Sequence, residues 1–355
     1  MTLARAASFR TSVVALCTLF GFAAGALVVL TVLLVATGHD ASVALSALVR
    51  GAFGSWYAIT SATFVRMVPL GLAGLAVAIA FRAGLLNIGA EGQLLIGAAA
   101  AAAAFALVGN SPPMLALPTI VCVGALAGGA WAAIAAWLRQ RFGVLEVIST
   151  IMLNFVAKYL IGWLVRGPLQ EPTRVNPQST SLPAALHLPT LIPDTQLHFG
   201  FVLLAALAVA LWWWLRSTAG GFRLRAVGAN PSAAASAGRI NVARTTLVAF
   251  VLSGAIAGLA GSVEYTGVTY ALYDNFSPGY GYTAIAVALL AGLHPLGVLA
   301  TALLFGALEA GANAMQRDAG VPSVVVSVVE ATLILLVVAA QRWQSRSVTG
   351  AGGAA

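Results

Sequence analysis

Long apolar runs alternate with short polar interruptions along the whole chain. Most of these runs reach the roughly 20 residues that a helix needs to cross a bilayer. Helices suit this role because they satisfy their own backbone hydrogen bonds within lipid. The pattern predicts an all-α polytopic membrane protein of about ten transmembrane helices, forming one domain over residues 1–355. The predicted spans are residues 12–36, 56–80, 86–108, 114–138, 144–165, 199–215, 245–263, 283–293, 297–315 and 322–340.

The apolar run at residues 283–293 is an exception, because it is too short to cross a bilayer unaided. Two interpretations remain open for it. Either Tyr280–Tyr282 extends the run into a full span, or the run is a half-helix that ends at His294 and Pro295.

Composition and charge exclude a water-soluble domain, because 60% of the residues are hydrophobic and 8% are charged. The net charge of +8 does not indicate nucleic-acid binding, since the arginines lie mostly at the ends of apolar runs. If both termini are cytoplasmic, the basic residues of the outside segments are Arg50, Arg166, Arg174 and Arg317. Those of the inside segments are Arg5, Arg10, Arg82, Arg139, Arg141, Arg216, Arg223, Arg225, Arg239, Arg244, Arg342 and Arg346. This bias places the loop of residues 166–198 outside the cytoplasm and the loop of residues 216–244 inside it.

The cytoplasmic loop has the start signals of a helix. The stretch Leu215–Arg244 carries arginines but no acidic residue, and Asn230 and Pro231 precede a run of alanine and serine. Asn suits the capping position and Pro the first helical position. We therefore predict one short helix outside the membrane. A helix too short to be stable alone usually docks against another surface.

Polar residues recur at four-residue spacing in the fifth predicted span: Glu146, Thr150, Asn154 and Lys158. At about 3.6 residues per turn they form one polar ribbon, which is typical of the lining of a translocation pathway. In the alternative interpretation, Glu146 and Lys158 lie near the two membrane interfaces and reach water, which leaves only Asn154 deep in the bilayer.

A second concentration of polar residues is the stretch FRAGLLNIGAEGQLLIG, residues 81–97. Four glycines together with Asn87, Glu91 and Gln93 predict a locally broken helix whose polar groups line a cavity. A tight turn between two spans is an equally open interpretation. The predicted pathway residues are Asn87, Glu91, Gln93, Glu146, Asn154 and Lys158.

Two glycine pairs, Gly124/Gly128 and Gly254/Gly258, have the spacing that lets membrane helices approach closely. We interpret them as packing contacts. They are not interpreted as sites.

The chain offers little that indicates catalysis. Its only lysine, Lys158, does not lie in a phosphate-binding P-loop, so this chain is not a P-loop ATPase by itself. The histidines lack metal-ligand spacing and no catalytic arrangement is recognisable, so we predict no catalytic residue, metal or cofactor. An ion-gradient-driven secondary transporter is the alternative from another class. The lack of a paired Asp/His proton relay argues against it.

Three segments resemble permease subunits of ABC importers that handle nucleosides, simple sugars and branched-chain amino acids. They are AFRAGLLNIGAEGQLLIGA at residues 80–98, LEVISTIMLNFVAKYL at residues 145–160 and RLRAVGANPSAAASAGRINV at residues 223–242. The first segment is most similar to the nucleoside-type permeases. The resemblance implies a pathway for nucleosides or related ribosylated solutes across a bacterial inner membrane. Permeases for simple sugars or branched-chain amino acids are the alternatives.

The resemblance also implies partners: a cytoplasmic ABC ATPase subunit that hydrolyses ATP, a second homologous permease chain and an extracytoplasmic substrate-binding lipoprotein. In the cytoplasmic loop it implies a coupling helix that sits in a groove of the ATPase. The matching residues are Arg225, Ala226, Gly228, Asn230, Ala233, Ala234 and Gly238. One residue departs from the pattern, because Arg239 separates Gly238 from Ile240.

Overall fold

The computed structural model describes residues 21, 24–25, 27–236, 238–322, 324–325, 328 and 331–332. The predicted first span, residues 12–36, lies partly outside the described residues. Most of the predicted last span, residues 322–340, also lies outside them.

The described chain is helical, and its strand-like features are three isolated bridges. Two π-helical segments adjoin α-helices: Ala58–Thr63 precedes α3, and Tyr265–Thr269 continues α10. The α-helices are α1 (Leu27–Ala36), α2 (Ala41–Phe53), α3 (Phe64–Arg82), α4 (Ala90–Val108), α5 (Pro113–Phe142), α6 (Glu146–Arg166), α7 (Gly200–Ser217), α8 (Ala219–Ala229), α9 (Pro231–Ser236), α10 (Val242–Glu264), α11 (Tyr280–Leu290) and α12 (Pro295–Ala319).

Seven helices in the described part of the chain are long and apolar enough to cross a membrane: Ala58–Arg82, Ala90–Val108, Pro113–Phe142, Glu146–Arg166, Gly200–Ser217, Val242–Thr269 and Pro295–Ala319. They correspond to seven of the predicted spans, with boundaries shifted by a few residues. The prediction of an all-α polytopic membrane protein is therefore confirmed. The total of ten spans remains a prediction.

Helix α11 contains most of the short apolar run at residues 283–293. It has 11 residues, so it rises by about 16 Å, roughly half the thickness of a bilayer core. The helix begins at Tyr280, and the chain then turns through Gly292 and Leu293, whose φ angles are +59° and +58°. These bounds favour the half-helix interpretation.

The loop of residues 216–244, which is predicted to be cytoplasmic, contains two helices, where the sequence pattern predicted one. The predicted helix is α9, and Asn230 caps it by accepting a hydrogen bond from the Ala233 backbone N–H at 3.0 Å. The unpredicted helix is α8, which begins after Thr218, whose hydroxyl accepts from the Gly221 N–H at 3.1 Å. Two glycines in its first turn weaken its intrinsic preference for helix, so tertiary packing supplies its stability.

The described residues divide into two compact units: Phe64–Gly306, and a smaller one made of the described residues within Met1–Thr63 and Ala307–Ala355. In the smaller unit, Asp40 caps α2 by accepting hydrogen bonds from two backbone N–H groups. A side chain at Gly311 of α12 would meet the Leu48 carbonyl of α2 at 2.6 Å. This glycine therefore lets α2 and α12 approach closely.

Helix α10 is the centre of the larger unit and packs against α3, α4 and α5. Its contact with α5 is made by the two predicted glycine pairs. A side chain at Gly258 would meet the Gly124 carbonyl at 2.5 Å, and one at Gly128 would meet the Gly258 Cα at 2.6 Å. The prediction of close helix packing at these pairs is confirmed.

The loop of residues 166–198 lies against the π-helical end of α10. Backbone N–H groups of Ser179, Leu182 and Leu188 donate to carbonyls between residues 266 and 272 at 2.7–2.9 Å. The imidazole of His187 stacks on Tyr270 with ring centroids 3.6 Å apart. The loop is therefore held by backbone pairing with the π-helical segment and the residues that follow it.

Candidate functional site

The candidate site is built around residues 83–89, the connecting segment between α3 and α4. Helix α3 ends where Gly84 adopts φ +72°. The Gly84 N–H donates to Phe81 and the Leu85 N–H donates to Ala80, both at 3.0 Å. These bonds form a Schellman-type helix end, which requires a residue with positive φ. The structure thus has a non-helical connection here, as both interpretations of the glycine-rich stretch predicted.

Asn87 is fully buried in the connecting segment, and its amide is hydrogen-bonded on both sides. Its oxygen accepts from the Gly89 N–H and from the Gln93 amide, both at 3.0 Å. Its nitrogen donates to the Gln93 amide oxygen at 3.0 Å and to the Ser253 hydroxyl of α10 at 2.9 Å. Ser253 in turn donates to the Ala76 carbonyl at 2.7 Å. This network joins the connecting segment to α3, α4 and α10.

Asn154 on α6 supports the same segment from the other side and is 2% exposed. Its oxygen accepts from the Gly92 N–H in the first turn of α4 at 2.8 Å. Its nitrogen donates to the Ile88 carbonyl at 2.9 Å and to the Tyr282 hydroxyl at 3.3 Å. One side chain therefore satisfies a helix-start donor and a loop acceptor that water would otherwise have to satisfy.

Glu91 connects the start of α4 to the start of α11. Its carboxylate accepts from the Gly281 backbone N–H at 2.7 Å, and its side chain is buried. A negative group at the first turn of a helix is stabilised by the helix dipole. A side chain at Gly281 would overlap the Glu91 backbone, so the two helix starts touch directly. We name Asn87, Glu91, Gln93, Asn154 and Ser253 the α4-start cluster.

Two side chains beside the α4-start cluster are exposed. Tyr282 is 42% exposed although its hydroxyl contacts Asn154. Lys158 lies one turn beyond Asn154 on α6 and is exposed, and its charge acts on Glu91 and Asp274. The hydrogen bond from Arg166 holds the pKa of Asp274 below its ordinary value, and the charges of Arg166 and Lys158 act in the same direction. An aromatic ring and an amide thus meet at one edge of the cluster, and a cation lies one helical turn away on α6.

The predicted pathway residues divide between two places. Asn87, Glu91, Gln93 and Asn154 come together, and Lys158 borders them. Glu146 lies at the first turn of α6 and pairs with Arg139 of α5 at 2.8 Å. The structure therefore does not bring Glu146 to the cluster.

Three contributors to the cluster were missed from the sequence: Ser253, Gly281 and Tyr282. Ser253 lies 166 positions from its partner Asn87, so no local pattern connects them. Tyr282 belongs to a tyrosine-rich segment, residues 264–282, which was the available signal.

The predicted coupling residues lie on α8, at Asn230 between α8 and α9, on α9 and in the turn after α9. Gly228 packs against the end of α3 and the connecting segment. A side chain at Gly228 would overlap the Arg82 carbonyl, and one at Gly84 would meet the Gly228 Cα at 3.3 Å. Ala234 is buried, whereas Ala233 is exposed. The two helices therefore have one face packed on the membrane helices and one exposed face. Arg225, Asn230 and Gly238 are exposed, and Ala226 is intermediate.

A cavity of about 340 Å³ lies at the C-terminal end of α4. Phe105, Asn110 and Gln170 contribute to its wall, together with Ser179 and Thr180. None of the α4-start cluster lines it, so it is a separate feature of the predicted extracytoplasmic side.

Comparisons with known proteins agree with these features. Residues 59–339 match the family described as the branched-chain amino acid transport system / permease component. The chain is 39% identical to the guanosine ABC transporter permease protein NupP of Bacillus subtilis, over 90% of each chain. It is 38% identical to the glucose ABC transporter permease protein TsgB13 of Haloferax volcanii, over 88% of this chain and 87% of the relative.

A third relative, the nucleoside ABC transporter permease protein NupB of Lactococcus lactis, is 32% identical over 90% of this chain and 88% of the relative. No solved structure gives a significant match. The resemblance expected from the three sequence segments is confirmed, and the relatives are transport components. The chain therefore belongs to the family of branched-chain amino acid transport system permease components, and it is a multi-pass membrane permease of the ABC transporter type.

Proposed function

We propose that this chain is a permease subunit of an ATP-driven importer and forms part of the translocation pathway for nucleosides. The observation that carries the proposal is the similarity over nine-tenths of the chain to two permeases named for guanosine and nucleosides. In this proposal a cytoplasmic ABC ATPase hydrolyses ATP, a second homologous permease completes the pathway, and an extracytoplasmic lipoprotein delivers the substrate. A sugar permease is the second candidate, because TsgB13 is named for glucose and is almost as similar.

The exposed edge of the α4-start cluster supports a nucleoside substrate. A nucleobase offers a flat π-face and hydrogen-bonding edges, and aromatic rings bind such faces by stacking. Tyr282 supplies an exposed ring whose hydroxyl accepts a hydrogen bond from the buried Asn154, and Lys158 supplies an exposed cation one helical turn from Asn154. We propose that the pathway passes this edge of the cluster, and that Asn87, Glu91 and Gln93 hold the edge in position through their hydrogen bonds. Glu146 remains a predicted pathway residue at the other end of α6.

Substrate uptake tests the proposal directly. Deleting the gene for this chain in its source cells is expected to abolish uptake of radiolabelled guanosine, and the intact gene is expected to restore it. Excess adenosine should compete with guanosine, whereas excess glucose and leucine should not. Competition by glucose alone would favour the sugar alternative. Uptake that survives ATP depletion but collapses with an ionophore would favour a secondary transporter.

Tyr282 provides a test of the proposed pathway. Tyr282→Leu is expected to lower guanosine uptake about tenfold, because stacking of a base on an aromatic ring contributes about 1–3 kcal/mol. Tyr282→Phe keeps the ring and is the matched control, so it should retain most of the uptake. Equal losses in both variants, or in neither, would contradict a stacking role. The amount of folded protein should be the same in all three proteins.

The outward face of α9 provides a test of ATPase coupling. Ala233→Trp is expected to reduce uptake at least about tenfold and to weaken co-purification with the ATPase, because a bulky ring would block close helix docking. The matched control is Ala219→Trp, which adds the same ring at an exposed alanine of α8 outside the matching segment. Normal uptake and normal ATPase recovery in the Ala233 variant would refute the coupling assignment.

A further inference from the structure

A pocket of about 180 Å³ lies at the predicted cytoplasmic end of the larger unit. Three arginines and one histidine line it: Arg82, Arg216, Arg225 and His294. They come from the last turn of α3, the last turn of α7, the middle of α8 and the turn before α12. Because distant parts of the sequence converge here, the fold itself concentrates the positive charge. We name this feature the basic pocket.

No acidic side chain of the described residues forms an ion pair with the basic pocket. Arg82 donates from Nε to the Leu293 carbonyl at 2.7 Å, which fixes its guanidinium at the pocket wall. Arg225 is close enough to repel Arg82. Burial, together with the charge of Arg82, holds the pKa of His294 below its ordinary value. Within the part of the chain that the structure describes, the positive charge of the pocket therefore comes from its three arginines and is not paired, and an anion would relieve their mutual repulsion.

The surroundings of the pocket indicate which anion fits. Trp212 and Leu215 form its apolar part, and the Arg216 guanidinium lies over the Trp212 ring at 5.8 Å. Tryptophans at the end of a membrane helix mark the level of the lipid headgroups. On the exposed side of the same helix, Val209 and Trp213 lie four residues apart and form an apolar stripe, with exposed fractions of 51% and 57%. The phosphate group of a ligand would match the arginines of the pocket, and its apolar chains would match the exposed stripe of α7.

We propose that the basic pocket binds the phosphate of an anionic phospholipid from the cytoplasmic leaflet, with the acyl chains along the exposed stripe of α7. Arginine pairs with phosphate through two parallel hydrogen bonds, and three arginines from separate elements can hold one headgroup. Basic pockets between transmembrane helices on the cytoplasmic side are suited to such headgroups. Two of the arginines end membrane helices, so the pocket lies at lipid level and not at the outward face of α9.

The test uses the full-length chain in nanodiscs of phosphatidylcholine, with or without phosphatidylglycerol. Phosphatidylglycerol is expected to raise the midpoint of thermal unfolding of the wild-type protein by about 4 °C. The pair Arg216→Gln with Arg225→Gln should lose at least half of this shift. The control pair, Arg223→Gln with Arg244→Gln, removes the same charge from exposed positions of the same loop and should keep the shift. Native mass spectrometry should find fewer retained phosphatidylglycerol molecules only in the first pair.

Each other outcome would overturn the proposal. Equal losses in the two pairs would indicate general attraction to an anionic surface. An equal shift from inorganic phosphate in phosphatidylcholine discs would indicate a soluble anion. A shift that requires the partner ATPase, with none from phosphatidylglycerol, would indicate an acidic protein group. If the double variant does not fold, Arg216→Gln alone gives the same comparison, because Arg216 lies on the exposed side of α7.

Discussion

Replacing Gly128 with leucine is expected to prevent the accumulation of folded protein in the membrane. A side chain at this position would overlap the Gly254 carbonyl and meet the Gly258 Cα at 2.6 Å. These are backbone atoms, which cannot move aside by changing a rotamer, so α5 and α10 would have to separate. Overpacking of this kind is expected to cost about 3 kcal/mol or more. The measurement is the monodisperse fraction of a fluorescent fusion after gentle detergent extraction.

The matched control for this substitution is Ala130→Leu. Ala130 lies two positions along the same helix and is exposed, so the added leucine enters no packed contact. We expect this variant to yield as much folded protein as the wild type. Similar yields from the Gly128 and Ala130 variants would show that the close approach of α5 and α10 is not needed for folding.

Asn154→Leu is expected to have the second largest effect on stability. The substitution leaves the Gly92 N–H and the Ile88 carbonyl without their partners in a buried place. Each unsatisfied group is expected to cost about 1–3 kcal/mol, so the midpoint of thermal unfolding should fall clearly. Val156→Leu introduces the same residue at an exposed position of the same helix and should leave the midpoint unchanged.

The Asn154 experiment also separates two roles. If Asn154 mainly holds the connecting segment, uptake and thermal stability should fall together. If the variant folds with wild-type stability and still loses uptake, Asn154 acts on the substrate directly. Retention of both properties would refute either role.

The sequence was most informative where spacing determines structure. Gly124/Gly128 and Gly254/Gly258 were predicted as helix contacts because four-residue spacing places both members of a pair on one face. Asn230 and Pro231 predicted α9 because capping chemistry is local. Both features depend only on neighbouring residues.

The polar residues show the limit of what local spacing can predict. The spacing of Glu146, Asn154 and Lys158 predicted one ribbon on α6, but it could not say which partner each side chain meets. Asn154 reaches the connecting segment and Glu146 pairs with Arg139. Such partners depend on how several helices pack together, so they can be identified only from the three-dimensional structure. The same holds for α8, whose inward face is buried at Leu224 and Val227.

The contact between Gly228 and the connecting segment has a mechanical consequence. The backbones touch there, since Gly228 lies against Arg82 and Gly84 without an intervening side chain. A side chain can absorb a small displacement by rotating about its bonds, whereas two backbones in contact cannot. A displacement of α8 toward α3 would therefore meet backbone directly, and the connecting segment it meets is hydrogen-bonded through Asn87 to α10 and through Ile88 to α6.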